Sequence, residues 1–174
     1  MYHIGMKSAE QVLALINETD LLNLTLDDVQ FSVPSALTPE EQPGVEHPAN
    51  TRVVISPKPN SQLIGEVEIS YDRIDLTEFE TLADPQGIVV GVPPTHATLL
   101  AGFNAHYKSA LELVDIDLSV PLPTDFVDDE VIELKASPNS LAYRGSLTII
   151  IEPSSVQLSQ LVVNPELVGL TINP

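Results

Sequence analysis

The chain carries four histidines (His3, His47, His96 and His106), with 25 acidic side chains against 7 basic ones. Metal binding and carboxylate chemistry are therefore weighed first. A transition metal needs His, Asp or Glu at spacings that bring several donors to one point, as in HxH or HExxH. The four histidines show no such spacing, and His106 is expected at a helix end, where a basic group is favoured. Calcium needs several carboxylate and carbonyl oxygens at one point. Asp125-Phe-Val-Asp128-Asp129-Glu130 supplies carboxylates but lacks the glycine and closing glutamate of a calcium loop. It reads as a solvated acidic loop, as does the differently spaced stretch with Glu40, Glu41 and Glu46. Asp72 and Asp75 flank Arg73, which predicts a local ion pair rather than a catalytic carboxylate dyad. No GxSxG, GxGxxG or GxxxxGK[ST] occurs, so neither an activated serine nor a phosphate cradle is expected. The residues predict no enzyme, no cofactor and no metal site.

The elements that would position any site are written twice. Between 12–34 and 99–121, 9 of 23 gapless pairs are identical, at an offset of 87. Composition alone gives about one or two. Asn17 meets Asn104, Asp28 meets Asp115, and Ser32-Val33-Pro34 meets Ser119-Val120-Pro121. Pro59-Asn60-Ser61 then recurs as Pro138-Asn139-Ser140 at an offset of 79, and Gly65 lines up with Gly145 after one more inserted residue. Length changes fall in polar stretches, as loops tolerate them and core strands do not. The repeated Asn is expected to end a helix in the left-handed conformation, and the repeated Asp to hold a turn.

Each copy reads as one helix followed by three mainly antiparallel strands. Ser8 is a plausible N-cap, and Ala9, Val12, Leu13 and Ile16 share a helix face over about 9–18; Thr95 caps the second helix, with Leu99, Leu100 and Phe103 on its face. Alternation predicts strands at 29–33 and 116–120, ended by Pro34 and Pro121. Further strands are expected at 51–57, 66–72, 131–136 and 146–152, with a helical turn at Leu76, Phe79 and Leu82 and a short strand at Ile88-Val89-Val90. The predicted fold class is α+β: two tandem repeats, each a helix on a small three-stranded sheet, plus an extended C-terminal tail. The boundaries are 1–76 for the first repeat, 77–94 for a linker, 95–153 for the second repeat and 154–174 for the tail.

Composition bounds the partners. At 43% apolar residues and a formal net charge of −18, the chain is expected to fold and to avoid nucleic acid and anionic membranes. It has no Cys, and no apolar run is long enough to span a bilayer. Met1–Lys7 does not read as an export leader, which predicts a chain made in the cytoplasm. The tail has no counterpart after the first repeat, yet it carries Leu158, Leu161, Val163, Leu167, Leu170 and Ile172. It either packs on its own chain or adds a strand to a neighbour. Ile150 stands on the outward face of its strand, which predicts cover on both faces by the linker, the tail or another subunit. These seven residues are the candidate partner-binding set.

The pattern VLALIN–x6–LTLDDVQFSVP, followed by NTRVVISPKPNS–x3–GEVEISYDRIDL, resembles a repeat domain of virion structural proteins from very large tailed bacteriophages. The two copies of that pattern cover 8–76 and 95–153. The resemblance implies a non-enzymatic virion protein that docks to other particle proteins through sheet edges and the tail, as a homo- or hetero-oligomer in a symmetric assembly. Strong negative charge would repel packaged DNA, which points to tail, baseplate or neck. The alternative expectation is a receptor- or carbohydrate-binding module, with calcium as its possible ion.

Overall fold

The computed structural model describes residues 3–46, 48–81, 87–123 and 130–154. His47, the acidic residues 125–129, and tail residues Leu158, Leu161, Val163, Leu167, Leu170 and Ile172 lie outside them. The chain is α+β: among the described residues there are two α-helices and several small, mostly antiparallel sheets.

Helix α1 (Ser8–Asp20) turns Val12, Leu13 and Ile16 onto a sheet. Its N-cap is Lys7 rather than Ser8, whose hydroxyl is engaged elsewhere. Leu21, left-handed at φ 54°, closes the other end by donating its N–H to the Asn17 carbonyl. The sheet comprises β1 (Val29–Phe31), β2 (Ser35–Ala36), β3 (Thr51–Pro57) and β4 (Val67–Tyr71). β3 is central: Thr51, Val53 and Ile55 alternate inward and are buried, Val53 and Ile55 against α1. β4 pairs along one edge of β3, while β1 and β2 share the other edge, all antiparallel. Pro34 does not end that pairing: it is buried at a kink, and the chain rejoins β3 at Ser35.

The chain continues through β5 (Ile74–Asp75), a 3-10 turn (Leu76–Thr81), β6 (Ile88–Val90), α2 (His96–Tyr107), β7 (Glu130–Lys135), β8 (Tyr143–Arg144) and β9 (Ser146–Pro153). β9 lies between β7, which is antiparallel to it, and β6, which is parallel. β5 and β8 form a separate parallel pair. The larger core gathers Phe103 and Leu99 of α2, Ile132 and Leu134 of β7, and Leu147, Ile149 and Ile151 of β9. Leu76, Phe79, Ile88 and Val90, from the chain between the two halves, complete it. The Phe79 ring packs edge-on to Phe103, with centroids 5.2 Å apart.

Pairing registers correspond between the halves. In the first sheet Thr51 faces Tyr71, Val53 faces Ile69 and Ile55 faces Val67. In the second, Glu130 faces Ile151, Ile132 faces Ile149 and Leu134 faces Leu147, shifts of 79 on one strand and 80 on the other. Val29 faces Pro57; Ile116 faces Ala136, at shifts of 87 and 79. Leu21 and Lys108, 87 apart, are both left-handed helix ends.

One expected strand is missing among the described residues: the stretch 116–120 makes only the bridge at Ile116. Asp117 Oδ1 accepts from the Ser119 N–H at 3.0 Å and its hydroxyl at 2.6 Å, and this local turn competes with the ladder. The same bonds hold the Asp117 carboxyl below its ordinary pKa.

Candidate functional site

The repeated polar residues fasten the chain to itself. The Asn17 side chain donates to the Leu24 carbonyl and accepts from the Leu24 N–H, both at 2.9 Å. Asn104 does the same to Leu111, also at 2.9 Å. The left-handed role expected of Asn falls instead to Leu21 and Lys108, because the carboxamide reaches seven residues on and sets the chain's return to the sheet. Asp28 accepts from the Thr25 N–H and hydroxyl, which hold its carboxyl below the usual range.

Asp115 occupies the matching position but is fully buried. Its Oδ2 accepts from the Glu112 N–H at 2.9 Å. Its Oδ1 accepts from the hydroxyl of Ser140 at 2.7 Å and from that of Ser8, the first residue of α1. One carboxylate thus ties the first helix to the second half. Beside it, Gln11 of α1 donates to the Tyr143 hydroxyl at 2.7 Å and to the Met6 carbonyl at 2.9 Å. Burial pushes the Tyr143 phenol up to about 12. The Tyr71 phenol, also raised to about 12 by burial, donates to the Leu141 carbonyl at 2.7 Å. Arg73 Nη1 donates to the Ser140 carbonyl at 3.2 Å and its Nε to Thr51 Oγ1 at 2.8 Å.

Arg73 therefore does not pair with its sequence neighbours. Asp72 takes the Asn50 N–H at 2.9 Å, and Asp75 lies 3.5 Å from Arg144. The local ion pair expected there is displaced because the backbone carries the guanidinium across to the second half. In the seam two hydroxyls share one carboxylate that lies sealed from solvent, with no histidine beside it. The arrangement holds two halves together and presents no nucleophile to a substrate. Asp28 and Asp115 hold matching repeat positions, so the repeat alone does not tell that Asp115 is fully buried and Asp28 is not. Gln11, a polar residue beside Glu10, carries no sequence signal of its burial either.

His96 Nε2 lies 3.1 Å from the Val120 carbonyl, His3 Nε2 lies 3.0 Å from Glu18, and the His106 ring packs on Tyr107 in the last turn of α2. Among the described residues no three His, Asp or Glu gather closely enough to hold a metal ion, and no helix is long and apolar enough to cross a membrane.

An apolar strip and a groove of mixed lining lie open among the described residues. On the outer face of the β6–β9–β7 sheet, Ile150 is 40% exposed and faces Val131, which is 63% exposed. On the first half, a groove of about 590 Å³ runs between Val12, Leu15 and Ile16 of α1 and Ile69, Ser70 and Tyr71 of β4. Ile150 is thus the one member of the expected partner-binding set that the described residues place, and it lies on an exposed apolar strip.

A family model described as a family of unknown function (DUF7941) matches residues 1–173, and the chain belongs to that family. Comparison with curated proteins and with solved structures gives no match.

Proposed function

We propose that this chain is a non-enzymatic structural protein of a large tailed-phage virion, built from two copies of one helix-and-sheet unit and docking to other particle proteins. The duplication is supported by the shared pairing registers, by the two left-handed helix ends 87 residues apart, and by the matched Asn bridges to Leu24 and Leu111.

One observation carries the docking role. The matched polar groups are consumed in holding the chain together, while apolar side chains stand open on β4, β7 and β9. Burial of apolar surface and pairing of free strand edges are the ordinary means by which such a module joins its neighbours. The net charge of −18 fits a place in tail, baseplate or neck, away from packaged DNA. The test is quantitative mass spectrometry of purified particles from a phage that encodes this chain. Many copies per particle, retained through high-salt washing, are expected. Absence from the particle, with the chain found only in the infected-cell lysate, would end this reading.

A further inference from the structure

The chain that leaves β4 covers the half that follows it. β5 pairs in parallel with β8, Ile74 beside Tyr143 and Asp75 beside Arg144. The turn at Leu76–Thr81 then packs against β9. Its Phe79 ring lies among Phe103, Tyr107 and Tyr143, with centroids 5.2, 5.2 and 6.2 Å away. Ile74, Leu76 and Phe79 are buried in one core with Tyr143 and Leu147.

The first half has a hairpin of the same shape, with no such cover among the described residues. Ser61 Oγ accepts the Leu63 N–H at 3.1 Å, as Ser140 Oγ accepts the Tyr143 N–H at 3.1 Å. Gly65 and Gly145 are both left-handed, at φ 84° and 76°, a conformation that glycine adopts without strain. Leu63 therefore answers to Tyr143, Ile64 to Arg144 and Val67 to Leu147. Yet Leu63 is 42%, Val67 55% and Ile64 96% exposed. On α1, half-buried Ile16 answers to Phe103 and exposed Asp20 to Tyr107, so this bare end is the less aromatic of the two.

The chain carries a second segment of the covering kind. Ile74, Leu76 and Phe79 stand at i, i+2 and i+5, and Val156, Leu158 and Leu161 repeat that spacing at an offset of 82. Thr77 is matched by Ser159, and Glu78 by Gln160. The start of the tail thus does have a counterpart after the first repeat, hidden because it agrees in apolar spacing rather than identity and runs two residues out of step with β9. It begins just past Ser154, whose N–H is held by the Val90 carbonyl at 2.8 Å. Residues 155–163 carry no charge in a chain of −18, so of this surface they meet the least repulsion from a second copy. The segment 74–79 covers the half after it and not the half it leaves. Carried one step on, the same succession places 156–161 on the hairpin of a further half, and the bare hairpin is that of a second copy.

We propose that residues 156–161 of one copy cover the Leu63–Val67 hairpin of a second copy, with Val156 and Gln157 paired in parallel to Leu63 and Ile64. This rests on the assembly reading above and names its contact. Leu158 and Leu161 then meet Leu63 and Val67 in the places that Leu76 and Phe79 take in the core with Tyr143 and Leu147. The end of β9 plays no part, because Val90 already lies there. The bare hairpin does not compete for it: the single Gln62 stands for Leu141-Ala142, so it lacks the residue whose carbonyl takes the Ile74 N–H at the end of β4. Because donor and acceptor surfaces differ, the contact is head-to-tail; it closes into a ring or grows into a filament according to the rotation between copies.

Two variants of the full chain test this. Leu63→Asp spoils the hairpin at an exposed position, and Leu161→Asp spoils the tail. Sedimentation velocity from about 1 to about 100 μM should show the unaltered chain growing into larger species and each variant staying monomeric, its dissociation constant raised at least about tenfold. Mixed together, the two variants should form a one-to-one dimer that grows no further, since only one hairpin and one tail remain competent. Circular dichroism checks that each variant is folded, and Val67→Asp repeats the hairpin test at a second exposed site. Val131→Asp, on the outer face of β7, should leave association unchanged. An unaltered chain that stays monomeric, or a variant mixture that forms no dimer, overturns the proposal. So does association that survives Leu161→Asp, that survives both Leu63→Asp and Val67→Asp, or that Val131→Asp abolishes as well. Particle mass spectrometry decides the assembly reading separately, whichever of these results is found.

Discussion

Replacing Asp115 with alanine removes the acceptor shared by Ser8, Ser140 and the Glu112 amide. Glu112 N–H is only partly buried and can turn to water. The two hydroxyls cannot, because Ser8, Ser140 and Asp115 are all buried. An orphaned buried donor costs about 1–3 kcal/mol, so the pair costs roughly 2–6 kcal/mol. Relief of the carboxylate's own desolvation offsets part of this. A net loss of about 3 kcal/mol is expected, a large share of the roughly 5–15 kcal/mol that holds a typical domain together. With a urea slope of about 2 kcal/mol/M, the unfolding midpoint should fall by roughly 1.5 M at unchanged slope. Asp28→Ala, at the matching but only half-buried position, should move the midpoint far less. The triple change Ser8→Ala, Asp115→Ala, Ser140→Ala should be more stable than Asp115→Ala alone, since no hydroxyl is then stranded. Equal midpoints for the two single Asp variants, or a triple variant less stable than Asp115→Ala, would refute the reasoning.

Gly102→Ala should destabilise by about 1–3 kcal/mol despite the better helix propensity of alanine, because the new Cβ meets β6 backbone at 2.3 Å; calorimetry reads the loss, and a gain in stability counts against this packing. Asn104→Ala removes two bonds to Leu111 at 2.9 Å and should cost about 1–2 kcal/mol by urea unfolding, with Asn17→Ala close behind. Tyr71 and Tyr143 hold their protons to about pH 12 when folded and to about pH 10 when unfolded, so their contribution is complete below about pH 10 and lost as pH rises through 12. Phenolate absorbance should therefore rise late and together with unfolding. Calcium and EDTA should leave the melting temperature unchanged on the assembly reading, and an upward shift that EDTA reverses would favour the calcium-binding alternative.

Periodicity made most of the fold legible. The strand 51–57 and the short strand 88–90 lie where alternation and apolar runs place them, and both helices start within one residue of expectation, though α2 runs past Asn104 to Tyr107. What stayed hidden was long-range. Nothing in Leu76 or Phe79 says that they complete the core of the half they precede. Asp117 and Ser119 look like the polar phase of a strand, yet their mutual bond curls the chain off the sheet. Gly102 answers Leu15, and only the three-dimensional contact with Val89 shows that the glycine makes room for a strand.

The hairpin end after β7 has one further consequence. Leu141 packs into the small core of Val12, Val53 and Tyr71, and Ala142 and Tyr143 seal the edge beyond β4. During synthesis the first half is made before these residues, so the cluster of Val12, Val53 and Tyr71 lacks Leu141 until the hairpin of the second half emerges. The first half therefore completes its packing late, although Leu13, Val29 and Ile55 can pack together without the second half.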